Sequence, residues 1–216
     1  MSTYVLIHGA GDGGWSWHPV AAQLRGRGHE VVAPGLPDAP SATLTGYADA
    51  VVEAVGDRPD RVVVGHSFGG FTAPLVAGRL GARLLVLVAA MIPAPGERPG
   101  DRGRTTGYRE AVRTHDDPYV TVYHDVPRAL ADEAMGRERA HPSPAAMAQP
   151  WPLAAWPDVP TRFVLGREDR CFPPEFLRAL AAGRLGLVAD EIAAGHCVAL
   201  SRPGEPAALL ESHRAG

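Results

Sequence analysis

The chain has 216 residues, 45% of them hydrophobic, and a formal net charge of −3. That size and composition predict one globular domain, residues 1–216, with a substantial core and no basic face for nucleic acid. All 21 residues of the Lys+Arg count are arginine. Without lysine, Schiff-base chemistry, a pyridoxal-phosphate anchor and a Walker-type phosphate loop are excluded.

In chain order, strands are predicted at Tyr4–Ile7, Glu30–Ala33, Arg61–Val64, Leu84–Ala89, Thr161–Leu165 and, less sharply, Leu187–Ile192. Most are continuous apolar runs, the pattern of parallel strands covered on both faces. Helices are predicted between and after them, at Pro19–Arg27, Tyr47–Val55, Phe68–Arg79, Pro174–Ala182 and Pro206–His213. The alternation implies an α/β, mostly parallel, doubly wound sheet with sites at the carboxyl ends of its strands. From about residue 92 to residue 158 no good strand occurs. That stretch is too long for a plain connection and reads as an inserted lid, partly helical around Pro127–Arg139. Tyr108, Tyr119, Tyr123, Trp151 and Trp156 favour a packed element there over a disordered linker. Its aromatics and arginines fit a planar or anionic ligand, and fit surface packing equally well. The chain enters its first strand almost at once and has no long apolar run, so neither a signal peptide nor a membrane span is expected. Cys171 and Cys197 make no disulfide framework, and a cytoplasmic protein with two free thiols is the expectation.

The segment Arg61–Gly70 (RVVVGHSFGG) carries most of the chemistry. A β-branched run leads into Gly-x-Ser-x-Gly and then a helix-compatible stretch, which puts Ser67 at the apex of a sharp turn. A serine hydroxyl needs a base, an acid to orient the base, and donors for the developing oxyanion. His196, just after the last strand, is the candidate base. Asp169, after the fifth strand, is the candidate acid, with Glu168 as its rival. The donors are expected to be backbone N–H groups of Phe68 and of Ala10, where Gly9 lets the loop after the first strand turn. His66 reads as packing support, His8 as a shaper of that loop, and Trp15 and Trp17 as pins holding it to the core.

Gly9–Gly14 also satisfies G-x-G-x-x-G after a strand. A dinucleotide site would need an acid at the end of the second strand, where Ala33-Pro34 stands instead. No cofactor is expected. The histidines and cysteines lack close ligand spacing, so no metal is expected either.

His8-Gly9-Ala10-Gly11 with Gly14-Trp15, Gly65–Gly70, Glu168-Asp169 and Gly195-His196 together resemble the α/β-hydrolase superfamily. More narrowly, EDRCFPPEF (168–176) and GHCVALSRP (195–203) are similar to the branch holding plant methyl esterases and hydroxynitrile lyases with their bacterial relatives. The resemblance implies the α/β-hydrolase fold with a short lid, Ser67, Asp169 and His196 as a triad, and Ala10 and Phe68 as oxyanion donors. It prefers Asp169 over Glu168. The lyases of this branch carry lysine after the histidine; Cys197 stands there, which argues against lyase activity. The implied function is hydrolysis of a small-molecule carboxylic ester or thioester through an acyl-enzyme. A non-hydrolytic enzyme on the same residues, or a binding protein on the same fold, is the alternative.

Overall fold

The computed structural model describes residues 1–107, 117–137 and 141–215. Six strands, β1 (Thr3–Ile7), β2 (Glu30–Val32), β3 (Arg61–His66), β4 (Leu84–Val88), β5 (Thr161–Gly166) and β6 (Asp190–Ile192), form one sheet. Every pairing is parallel and the order is β2-β1-β3-β4-β5-β6. Strand β1 lies at the centre of the winding, and the chain leaves it in both directions.

The period of two along each strand divides the core. Val5, Ile7, Val63, Leu85, Leu87, Phe163 and Leu165 face the helices Leu44–Val55, Ala73–Leu80 and Pro174–Leu185. Their neighbours Tyr4, Leu6, Val62, Val64, Val86, Val88 and Val164 face His18–Gly26 and Gly204–Ala215. Burial on both faces is why β1, β3 and β4 read as unbroken apolar runs.

Most expected elements are present, with three informative shifts. The helix expected from Phe68 begins as a 3-10 turn at Ser67–Phe71, and the α-helix starts only at Ala73. Pro74, in its first turn, has no N–H to donate and suits that start. The helix expected from Tyr47 begins earlier, at Leu44, because the Thr43 hydroxyl caps it by accepting from the Gly46 N–H. The last strand is shorter than its apolar run. Gly186 ends the preceding helix in a left-handed conformation, and the Leu187 N–H turns back to the Ala181 carbonyl. Val188 is therefore left 95% exposed, and pairing starts only at Asp190.

Between β4 and β5 the described residues hold a 3-10 turn at Pro99–Asp101, short helices at Arg102–Thr105, Pro118–Thr121, Arg128–Gly136 and Pro144–Ala148, and no strand. Tyr108 and Arg139 lie outside the described residues. Trp151 is fully buried, donates from Nε1 to the Phe71 carbonyl at 3.0 Å and stacks on Trp156. Glu97, almost wholly buried, pairs with Arg184 at 2.8 Å and ties this stretch to the helix Pro174–Leu185. Trp151→Ala removes the largest of these anchors and strands a buried carbonyl. It is expected to cost about 3–5 kcal/mol in urea denaturation; an unchanged midpoint would contradict this packing role.

Candidate active site

The register brings the carboxyl ends of five strands to one sheet edge. Ile7 of β1 lies beside Gly65 of β3, His66 beside Val88 of β4, and Gly166 of β5 beside Ile192 of β6. The loops that leave this edge carry Ala10, Ser67, Asp169 and His196.

Ser67 follows the last residue of β3 with φ of 51°, the left-handed region that a side chain rarely adopts. The strain is held from several sides. The Ser67 carbonyl accepts from the Met91 N–H at 3.1 Å. Gly70 lies so close to the chain after β4 that a Cβ there would stand 1.9 Å from the Met91 carbonyl oxygen. The turn can fold only because residue 70 has no side chain.

The His196 Nδ1–H donates to Asp169 Oδ2 at 2.8 Å, with both side chains buried. The other carboxylate oxygen, Oδ1, accepts from the N–H groups of Cys171 and Phe172, both at 2.8 Å. Asp169 is thus fixed in orientation, and it fixes the tautomer of His196 with Nε2 as the lone-pair nitrogen. Phe172 packs edge-on against the imidazole with ring centroids 5.0 Å apart. Glu168, the rival acid, has an exposed side chain, and only its backbone faces inward.

His66 donates from Nε2 to the backbone carbonyl of His196 at 3.0 Å and packs edge-on against Trp17. Its role is to tie the turn at Ser67 to the loop of His196. Burial, followed by the neighbouring His196, lowers its pKa to about 3. His8 braces the loop after β1. Its Nδ1–H donates to the Gly9 carbonyl at 2.9 Å, and its Nε2 accepts from the Leu36 N–H at 3.1 Å. Burial lowers its pKa too. Trp17 is buried in the core, whereas Trp15 lies under the Arg137 guanidinium at 4.3 Å.

Ser67, His196, Ala10 and Phe68 all line one cavity of about 150 Å³, walled by Met91, Phe172, Val122 and Tyr123. Asp12, Cys171 and Cys197 line it as well. Both cysteines are free, and burial pushes the Cys197 thiol well above its ordinary range. Among the described residues no arginine reaches this cavity. Arg128 instead covers the ring of Tyr119 at 4.1 Å, which is surface packing.

The sequence profile described as the alpha/beta hydrolase family matches residues 4–209. The chain belongs to that family. It is similar to a carbendazim hydrolyzing esterase of Nocardioides sp. (strain SG-4G), 33% identical over 109 residues. That match covers 45% of this chain and 45% of the esterase, so the chain spans about half the length of this curated relative. A probable hydrolase R7 of Phoma sp. is 32% identical over 212 residues, covering 84% of this chain and 85% of that one. Among solved structures, the methylesterase MES16 from Arabidopsis superposes with a TM-score of 0.78 at 18% identity, covering 100% of this chain and 98% of that one. At that identity the likeness concerns the fold.

Two residues near the site escaped the sequence reading. His124 and Asp125 contact the loops of Asp169 and His196 across long sequence separations, and neither belongs to a recognisable motif.

The buried histidines make acid stability testable. Folded His66 stays neutral down to about pH 3, whereas an ordinary histidine has a pKa of 6.5. Between those values the unfolded chain binds more protons, so stability falls as pH drops through that window, and His8 adds in the same direction. Urea midpoints measured from about pH 7 to about pH 4 should fall more steeply for the wild type than for His66→Gln. The difference should reach about 1.4 kcal/mol per pH unit. Parallel curves would contradict the buried neutral His66.

Proposed function

We propose that the chain is a serine hydrolase acting on a small-molecule carboxylic ester or thioester. The observation that carries this reading is the strained Ser67 turn opening into the same cavity as the Asp169-oriented His196. His196 Nε2 takes the proton of Ser67 Oγ as that oxygen attacks the substrate carbonyl. The backbone N–H groups of Ala10 and Phe68 stabilise the oxyanion of the tetrahedral intermediate. His196 then returns the proton to the departing alcohol or thiol, leaving an acyl group on Ser67. Water, deprotonated by the same nitrogen, releases the acid. Asp169 holds the imidazole tautomer throughout and stabilises the imidazolium that forms twice in each cycle.

The segment from about 92 to 158 is the lid in this reading, since its Val122 and Tyr123 wall the cavity. The cavity's volume suits a small substrate, and its walls of Phe68, Phe172, Met91 and Tyr123 suit an apolar acyl or alcohol group. No cofactor enters any step. Among the described residues no helix is long and apolar enough to cross a membrane. The free thiols accord with a cytoplasmic setting.

Hydrolysis of a short-chain aryl ester tests the proposal. Ser67→Ala should lower kcat by on the order of 10⁴–10⁶ and Asp169→Asn by about 10⁴. Glu168→Gln should stay within a few-fold of wild type, because that side chain is exposed. Near-normal turnover in Ser67→Ala, or equal losses in Asp169→Asn and Glu168→Gln, would overturn the assignment.

A further inference from the structure

The loops of Asp169 and His196 are held from two directions. From within the sheet edge, the His196–Asp169 hydrogen bond and the His66 contact to the His196 carbonyl fix them. From the lid side, two adjacent residues reach one loop each. His124 Nε2–H donates to the carbonyl of Glu168, the residue just before Asp169, at 2.9 Å. Asp125 Oδ2 accepts from the N–H of Gly195, the residue just before His196, at 2.7 Å. One dipeptide therefore grips the backbone immediately upstream of the acid and of the base.

The fit is close. A Cβ on Gly195 would stand 2.5 Å from Asp125 Oδ1 and 2.6 Å from His124 Nε2, so the approach needs a glycine. Arg170 adds a third tie, from its Nη1 to the Val120 carbonyl at 3.3 Å. Beneath the dipeptide, Tyr123, Val126, Ala131 and Ala134 pack against Cys197 and Leu200, beside His196. Asp125 Oδ1 is buried with no hydrogen-bond partner among the described residues. An unsatisfied buried oxygen weakens folding, which sets Asp125 apart from a residue kept for stability alone. The preceding residues, Val122 and Tyr123, wall the substrate cavity. The stretch that meets substrate thus continues directly into the stretch that aligns the acid and the base.

We infer that His124 and Asp125 are positioning residues that couple the seating of the lid on substrate to the alignment of Asp169 with His196. The inference rests on the ester-hydrolase reading. Displacing a reacting group by about 1 Å can lower a rate by about 10²-fold, so the effect falls on kcat and not on the ground-state fit of substrate. Asp125→Ala removes the acceptor for Gly195. Asp125→Asn keeps one, through its amide oxygen. His124→Gln keeps a donor for Glu168, and His124→Ala does not.

The test measures kcat and KM on a short-chain aryl ester, the rate of fluorophosphonate labelling, and the urea midpoint for all four variants. Asp125→Ala should lower kcat and the labelling rate by on the order of 10–100-fold with KM within about threefold, and Asp125→Asn should restore most of the loss. His124→Ala should show the same pattern more weakly, and His124→Gln should recover it. The double alanine variant should lose less than the product of the single losses, because both act on one alignment. The inference is overturned if kcat in Asp125→Ala stays within twofold of wild type, or if Asp125→Asn fails as badly as Asp125→Ala while both remain folded. Should Asp125→Ala not fold, the His124 pair decides alone: equal kcat in His124→Ala and His124→Gln overturns the inference. Failure of the ester-hydrolase reading is separate, because it would appear as wild type that neither turns over ester nor takes the label.

Discussion

The turn at Ser67 is the constraint around which the site is built. A side chain at φ of 51° costs roughly 1–3 kcal/mol, and the fold has to hold it. The parallel registry of β3 between β1 and β4 supplies a rigid base for the turn. The Met91 N–H donates to the Ser67 carbonyl, and the bare backbone of Gly70 lets the chain after β4 close in. Once the turn is fixed, Ser67 lines the cavity, and the loops after β1, β5 and β6 bring Ala10, Asp169 and His196 to the same edge.

That convergence depends on buried polar groups that are satisfied at most of their atoms. Asp169 uses both oxygens, one on His196 and one on two backbone N–H groups. His8 uses both ring nitrogens, as donor to Gly9 and acceptor from Leu36. His66 spans from the turn at Ser67 to the carbonyl of His196. Burial keeps His8 and His66 below their ordinary pKa, so they serve as neutral braces, while the dipeptide His124-Asp125 bonds to the loops of Asp169 and His196 from the segment between β4 and β5. The site is a set of short loops made rigid by hydrogen bonds that cross between strands.

Much of this was legible in the residues, for identifiable reasons. Strands β1, β3 and β4 are buried on both faces, so their apolar runs are unbroken. Ser67, Asp169 and His196 sit at strand ends in short local patterns, and the parallel sheet carries such ends to one edge. The apolar run at Leu187–Ile192 overstates edge strand β6, because Leu187 and Ala189 are apolar through packing on the core and not through pairing. The pattern places the start of the helix after Ser67 too early, because a 3-10 turn and an α-helix share the same apolar spacing over one turn. The family relationship favoured Asp169 over Glu168, and burial of the one against exposure of the other gives the physical reason. His124 and Asp125 left no trace in the sequence pattern. Their partners lie 44 and 70 residues away, and neither contact has a periodicity or a motif.

The central claim is that Ser67 is an activated nucleophile in an assembled site. Intact-mass analysis after exposure to a fluorophosphonate, followed by peptide mapping, tests it most directly. The account predicts a single adduct, mapped to Ser67 and absent from Ser67→Ala. A folded protein that takes no label, or takes it at another residue, would contradict it.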